Sequence, residues 1–183
     1  MAKQFDEISD QLKSFIEEQK MFFVATAVAD GRINLSPKGM DSLRVLDKHR
    51  VIWLNVTGSG NETATHVQEN PRMTLMFMAL SGAPMILRLY GTAKVIHHND
   101  REWDELSAAL PALPGARQIF DVDVDLVQTS CGMAVPLYEY VDDRDALINW
   151  ANKKGKEGVK EYWQDRNTLS LDGKPTQILE KNT

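Results

Sequence analysis

Short runs of β-branched and aromatic residues, separated by turns rather than by long amphipathic helices, constrain this chain more than any other feature. MFFVATAVA (21–29) ends at Asp30-Gly31, a strong hairpin signal, and RINLSPKG (32–39) is the expected returning strand, with Pro37 limiting how far it can pair. VIWLNV (51–56) and RMTLMFMA (72–79) give a third and a fourth strand. In MILRLYGTAKV (85–95), Ile86, Arg88 and Tyr90 alternate against Leu87 and Leu89, as in a half-buried strand, and Gly91 marks a bulge or a close approach. IFDVDVDLVQTS (119–130) sets Ile119, Asp121, Asp123 and Asp125 against Phe120, Val122, Val124 and Leu126, one wet face and one dry. About six or seven strands without regular βαβ alternation favour an antiparallel barrel over a doubly wound sheet.

Helical patterns flank and connect these strands. Phe5, Ile8, Leu12, Phe15 and Ile16 draw one apolar stripe along residues 5–20. Residues 99–110 open on an Asn/Asp cap, carry Trp103, Leu106 and Leu110 at helical spacing, and close at Pro111 and Pro114. Residues 142–154 and 156–166 read as two short helices broken at Gly155, with Asp142 and Asp145 in a capping arrangement. The tail, 167–183, is polar and turn-rich. No repeat or linker divides the chain, so one mainly β domain over 1–183 is expected, with its helices at the ends and in the connections.

At 183 residues the chain can bury a full core without staples, and a net charge of -5 speaks against a nucleic-acid partner. One cysteine, Cys131, allows no internal disulfide, and no apolar run approaches the roughly 20 residues of a membrane helix. The charged start MAKQFDEISD has no apolar core of a secretory signal. A soluble, cytoplasmic protein is expected.

The segment NVTGSGNETATH (55–66) is the least ordinary. A strand runs into Thr57-Gly58-Ser59-Gly60, Asn61 is a candidate N-cap, and a short helix runs from Glu62 to Glu69 before Asn70-Pro71 stops it. Such a helix start presents unpaired N–H groups and a partial positive charge, which hold phosphates well. Plain capping chemistry reads the same way. Glu62 is an awkward neighbour for a phosphate unless its side chain turns away. Lys38 supplies a cation if the second strand lies beside the third.

Other candidates read as structural. Three aspartates at period two suit a solvated face, and no fourth ligand converges for a metal. His97-His98 cannot both ligate one metal from a strand, because adjacent side chains point to opposite faces. His66 shares a helix face with Glu62, Cys131 lacks a signal for a His–acid partner, and Trp150 and Trp163 suit packing or the cover of a groove at a dimer seam.

Taken together, GRINLSPKG, WLNVTGSGNETATHVQENPRMTLMFM with its Glu69-Asn70-Pro71-Arg72 stretch, and MILRLYGTAKV resemble the pyridoxamine 5'-phosphate oxidase-like family of FMN-binding split β-barrels. SCGMAVP (130–136) and NTLSLDG (167–173) are similar to a recurring subgroup of that family. The resemblance implies Greek-key antiparallel strands and an FMN bound in a groove between the two subunits of a homodimer. Its phosphate would meet Ser36, Pro37 and Lys38 and the loop Ser59, Gly60, Asn61, Glu62 and Thr63. Asn55 would contact the ring or ribityl chain, and Arg88 would lie near the isoalloxazine. The implied activity is an FMN-dependent oxidoreductase, with hydride exchanged between flavin and a small molecule and no side chain assigned as acid or base. The alternatives are a flavin- or haem-binding module, with His66, His97 or His98 as the haem ligand, and a deazaflavin-dependent reductase.

The chain departs from the true oxidases in three places. The arginine of their R-x-V-L-L-K strand is missing, Glu62-Thr63 replaces an Arg-Lys pair, and the C-terminal arginine-rich segment is replaced by LSLDGKPTQILEKNT. A pyridoxamine phosphate substrate, whose own phosphate would want such cations, is therefore not expected.

Overall fold

The computed structural model describes residues 2–182. Its centre is an eight-stranded antiparallel sheet, curled into the split barrel, with strands β1 (Lys3–Phe5), β2 (Phe22–Thr26), β3 (Asn34–Lys38), β4 (Leu43–Asp47), β5 (Arg50–Val56), β6 (Arg72–Met78), β7 (Ile86–Ile96) and β8 (Ala116–Ser130). The order is β3-β2-β6-β7-β8-β5-β4, with β1 added along β8. Strands β6, β7 and β8 are neighbours in sequence, and β5 returns to lie beside β8, which is a Greek key. The helices are α1 (Asp10–Glu18), α2 (Glu62–Glu69), α3 (Trp103–Ser107), α4 (Ala146–Arg166) and α5 (Ile178–Asn182). No helix among the described residues is long and apolar enough to cross a membrane.

Side-chain alternation sorts the strands into two faces. Phe22, Val24, Trp53, Leu75, Phe77, Leu87, Leu89, Phe120 and Val122 fill the barrel interior. Ile52, Leu54, Ile96 and Ile119 point the other way, into a second cluster with Leu106 and Leu110. That is why VIWLN is buried at every position from Val51 to Asn55: β5 is covered on both faces.

Several sequence expectations shift. The helix expected over 5–20 starts only at Asp10, because Ser9 Oγ caps the Leu12 N–H (3.3 Å). Phe5 instead lies in β1, opposite Val127. The Asp30-Gly31 hairpin is not tight: Thr26 pairs with Asn34, leaving 27–33 as a connection held by Asp172, which accepts the Arg32 N–H (2.8 Å) and pairs with its guanidinium. Strand β4 went unforeseen, since LRVLD carries no clean alternation and its pairing with β5 shifts register between Val45 and Asp47. The helix expected over 99–110 contracts to Trp103–Ser107 because Asp100 is spent on the His97 N–H (2.7 Å). The two C-terminal helices meet at Gly155 (φ 67°, ψ 174°), as expected, but begin at Ala146, with no side-chain cap from Asp145, while Asp142 accepts the Asp143 N–H.

Candidate functional site

Strand β3 does not pair with β5. It pairs with β2 alone, at the far end of the order, where Pro37 costs no ladder hydrogen bond on its free edge. The curl of the sheet still brings its inner face to β5. Asn34, Ser36 and Lys38 stand opposite Thr26, Val24 and Phe22, so they share the interior face, and Lys38 Nζ lies 5.3 Å from the ring centre of Trp53 on β5. Leu35 and Pro37 point outward.

The start of α2 docks on this stripe. Asn34 Nδ2 donates to Thr63 Oγ1 (3.1 Å) and to Thr26 Oγ1 (3.3 Å), and Thr26 Oγ1 also meets His66 Nδ1 (3.0 Å). Asn61 occupies the N-cap but makes no side-chain cap bond. It is 2% exposed, and both its Oδ1 and its Nδ2 lack a partner, as do Ser36 Oγ, Thr65 Oγ1 and Arg117 Nε. Buried polar atoms are rarely left unpaired, so this group near the start of α2 is able to bond a ligand or ordered water.

The C-terminal segment fixes the loop in front of α2. Trp163 Nε1 donates to Thr57 Oγ1 (2.8 Å), which donates to Gly115 O (2.7 Å). Asn167 Nδ2 donates to Gly58 O (3.0 Å), and Arg117 donates to Gly60 O (2.7 Å) and Asn167 Oδ1 (2.8 Å). Glu62 turns away from the helix start, its carboxylate accepting the Leu171 N–H (2.9 and 3.0 Å). Burial, with the charge of Arg117 added, pushes the Lys38 amine down to about 8. Burial pushes the Arg117 guanidinium down to about 10.

Ser36, Lys38, Asn61 and Thr63 are therefore gathered. Ser59 is exposed on the loop, and the Gly60 carbonyl is engaged by Arg117. Two candidates lie elsewhere. Asn55 Nδ2 is bonded to Gln118 Oε1 (3.0 Å) in a buried network. Arg88 sits on the outer face of the sheet, where it donates to Ser130 Oγ (3.1 Å), beside Tyr90 and Gln128. Sequence reasoning missed Asn34, Arg117 and Asn167. Arg117 sits where the β5–β8 register shifts between Asn55 and Val56, and such bulges, which re-aim side chains, leave no motif in a sequence.

The three candidate histidines are packed into the fold. Gln118 Nε2 donates to His97 Nε2 (3.3 Å), leaving Nδ1 toward Asp100 Oδ2 at 3.6 Å. His98 donates to the Ala116 carbonyl and packs edge-on against Trp103 (4.2 Å) and Trp163 (6.0 Å). His66 meets Thr26 through Nδ1 and is 3% exposed, and His97 is fully buried, so neither ring faces open space where a haem could approach. Burial, above all, pushes His97 down to about 4, so the fold holds it neutral. Its contribution to stability is complete above the ordinary value of 6.5 and is lost as pH falls toward 4, by roughly 3 kcal/mol. Urea unfolding at stepped pH should show this acid loss in the wild type and a flatter profile in His97→Gln. Identical profiles would show that His97 does not carry it.

On the outer face, a cavity of about 370 Å³ opens between β2, β6 and β7, with Ile33, Thr74, Tyr90 and Thr92 among its lining residues. The apolar side chains Ile33, Leu35, Met133, Leu137, Tyr138 and Val141 are exposed, from 63% to 89%.

The model of a family described as pyridoxamine 5'-phosphate oxidase matches residues 8–131. The chain is 36% identical to the pyridoxamine 5'-phosphate oxidase family protein ustO of Aspergillus flavus, over 93% of this chain and 76% of that one. Among solved structures, HupZ of Group A Streptococcus is similar with a TM-score of 0.55 at 19% identity, over 67% of this chain and 99% of that one. HutZ, the heme storage protein of Vibrio cholerae, is similar with a TM-score of 0.50 at 19% identity, over 69% and 97%. At such identities these structures bear on the fold alone.

Proposed function

The chain belongs to the pyridoxamine 5'-phosphate oxidase family, and from that premise we propose that it is an FMN-binding flavoprotein acting as an oxidoreductase on a small molecule. The observation that carries the reading is the set of unpartnered buried groups at the start of α2: Asn61 and Ser36, with the desolvated Lys38 amine beside them. They fit a phosphate, which would accept from Lys38, the Ser36 hydroxyl and the first-turn N–H groups of α2. Thr63 Oγ1 accepts from Asn34 Nδ2, which holds that amide on this face and leaves the Thr63 O–H to donate to the anion. Glu62 fits because its carboxylate faces the tail, not the anion.

Bound FMN would supply the hydride chemistry, while this chain binds, orients and screens it. Lys38 and Arg88 lie on opposite faces of the sheet, so a contact between Arg88 and the flavin ring would come from a second protomer. The exposed apolar side chains Leu35, Met133, Leu137 and Tyr138 support a homodimer that covers them. The burial of His66 and His97 does not favour the haem reading.

Fluorescence titration of the purified protein with FMN tests the proposal. Lys38→Ala should weaken FMN by about tenfold, or about 1.4 kcal/mol. Thr63→Ala, which releases Asn34, should weaken it by a smaller factor. A wild type that neither carries a flavin spectrum nor quenches added FMN would overturn the flavin reading. Lys38→Ala within about twofold of wild type would displace the phosphate from this site. Oxidation of NADH or NADPH with flavin turnover would separate a reductase from a carrier.

A further inference from the structure

Arg117 is 4% exposed, yet forms no ion pair among the described residues. Two of its nitrogens are spent on neutral oxygens, Gly60 O and Asn167 Oδ1, and its Nε has no acceptor at all. A buried guanidinium without an anion is costly, and here a second buried cation, Lys38, lies close enough for Arg117 to depress its protonation. The surrounding unpaired groups, Asn61 and Ser36, extend the same deficit.

Asn167 explains why the guanidinium stays in place. It is fully buried, accepts from Arg117 Nη1, donates to Gly58 O, and its own carbonyl accepts from Thr176 Oγ1. One side chain thus ties the tail, the loop and the cation together. Asn182 Nδ2 adds a bond to the Arg117 carbonyl (2.9 Å).

We propose that Arg117, aimed by Asn167 of the C-terminal tail, is the second cation of this anion site, so that a phosphate dianion is held jointly by Lys38, Arg117 and the start of α2. The assignment rests on the flavin reading only for the name of the ligand; the unpaired buried cation stands without it. Asn167 is a positioning residue, and the tail that carries it is part of the binding site rather than a covering.

The test compares FMN with riboflavin, which lacks the phosphate, and adds inorganic phosphate in thermal melts of the full chain. Arg117→Gln should weaken FMN by about tenfold while leaving riboflavin unchanged, and should abolish the phosphate-induced rise in melting temperature. Arg117→Lys should restore part of both. Asn167→Asp, which supplies a carboxylate of the same size, should also lower the preference for FMN over riboflavin, and it keeps the test alive where Arg117→Gln fails to fold. If wild type binds neither flavin yet phosphate raises its melting temperature through Arg117, the flavin reading falls and the anion site stands. If wild type prefers FMN and both variants keep that preference, the flavin reading stands and Arg117 has no part in the site. Equal losses of FMN and riboflavin in Arg117→Gln would also overturn the proposal, because only a structural role weakens both alike.

Discussion

Replacing Gly91 by alanine should cost about 3 kcal/mol or more. A Cβ built on Gly91 would stand 1.9 Å from the Asp123 carbonyl oxygen and 3.1 Å from Val124 Cα. Both obstacles are backbone, so no side chain can swing aside. The clash falls where the β7–β8 register shifts between Tyr90 and Gly91, in the longest strand pairing of the sheet. Relief would require β7 and β8 to separate, and β8 also carries β5 and β1. For a chain of this length the melting temperature should fall by roughly 6–12 °C. A melting temperature within about 2 °C of wild type would show that the strands close in a different register.

Trp53 is the second case. It is fully buried, stacked on Phe120 (4.4 Å between centroids, 13° between planes), edge-on to Phe22 (6.2 Å), and under the Lys38 amine. Trp53→Ala should cost about 3–5 kcal/mol through lost transfer energy and the cavity left behind. Trp53→Phe should cost under about 2 kcal/mol, since a ring still meets Phe120 and the unpartnered Nε1 donor disappears. Urea unfolding gives both values, and equal costs for the two variants would rule out the aromatic stack as the stabilising contact.

The strands were readable where a single face is buried. Ile86 to Leu89 and Phe120 to Asp123 alternate because β7 and the middle of β8 have one dry face, and Gly91 announced its close approach because nothing but glycine fits there. Strand β4 was not readable, because LRVLD is partly polar on both faces and depends on β5 for its conformation. At the site, Lys38 and the loop were legible as local chemistry, a cation and a glycine-rich helix start. The pairing of β3 with β2 alone hid how Lys38 reaches Trp53, since that contact is made by the curl of the whole sheet. Arg117 and Asn167 were invisible for a related reason: they are 50 residues apart and meet through a bulge and a folded-back tail.

The central place of β8 sets the order in which the molecule can be made. It is the last strand in the chain, yet it pairs with β1, β5 and β7. During synthesis at roughly 5–20 residues per second, everything up to residue 115 emerges before any of these partners can close on it. For on the order of seconds β5 and β7 expose unpaired edges, and VIWLNV is the most apolar of them. A nascent chain halted just before residue 116 should therefore bind holdase chaperones strongly, and one extended past residue 130 and clear of the ribosome should release them.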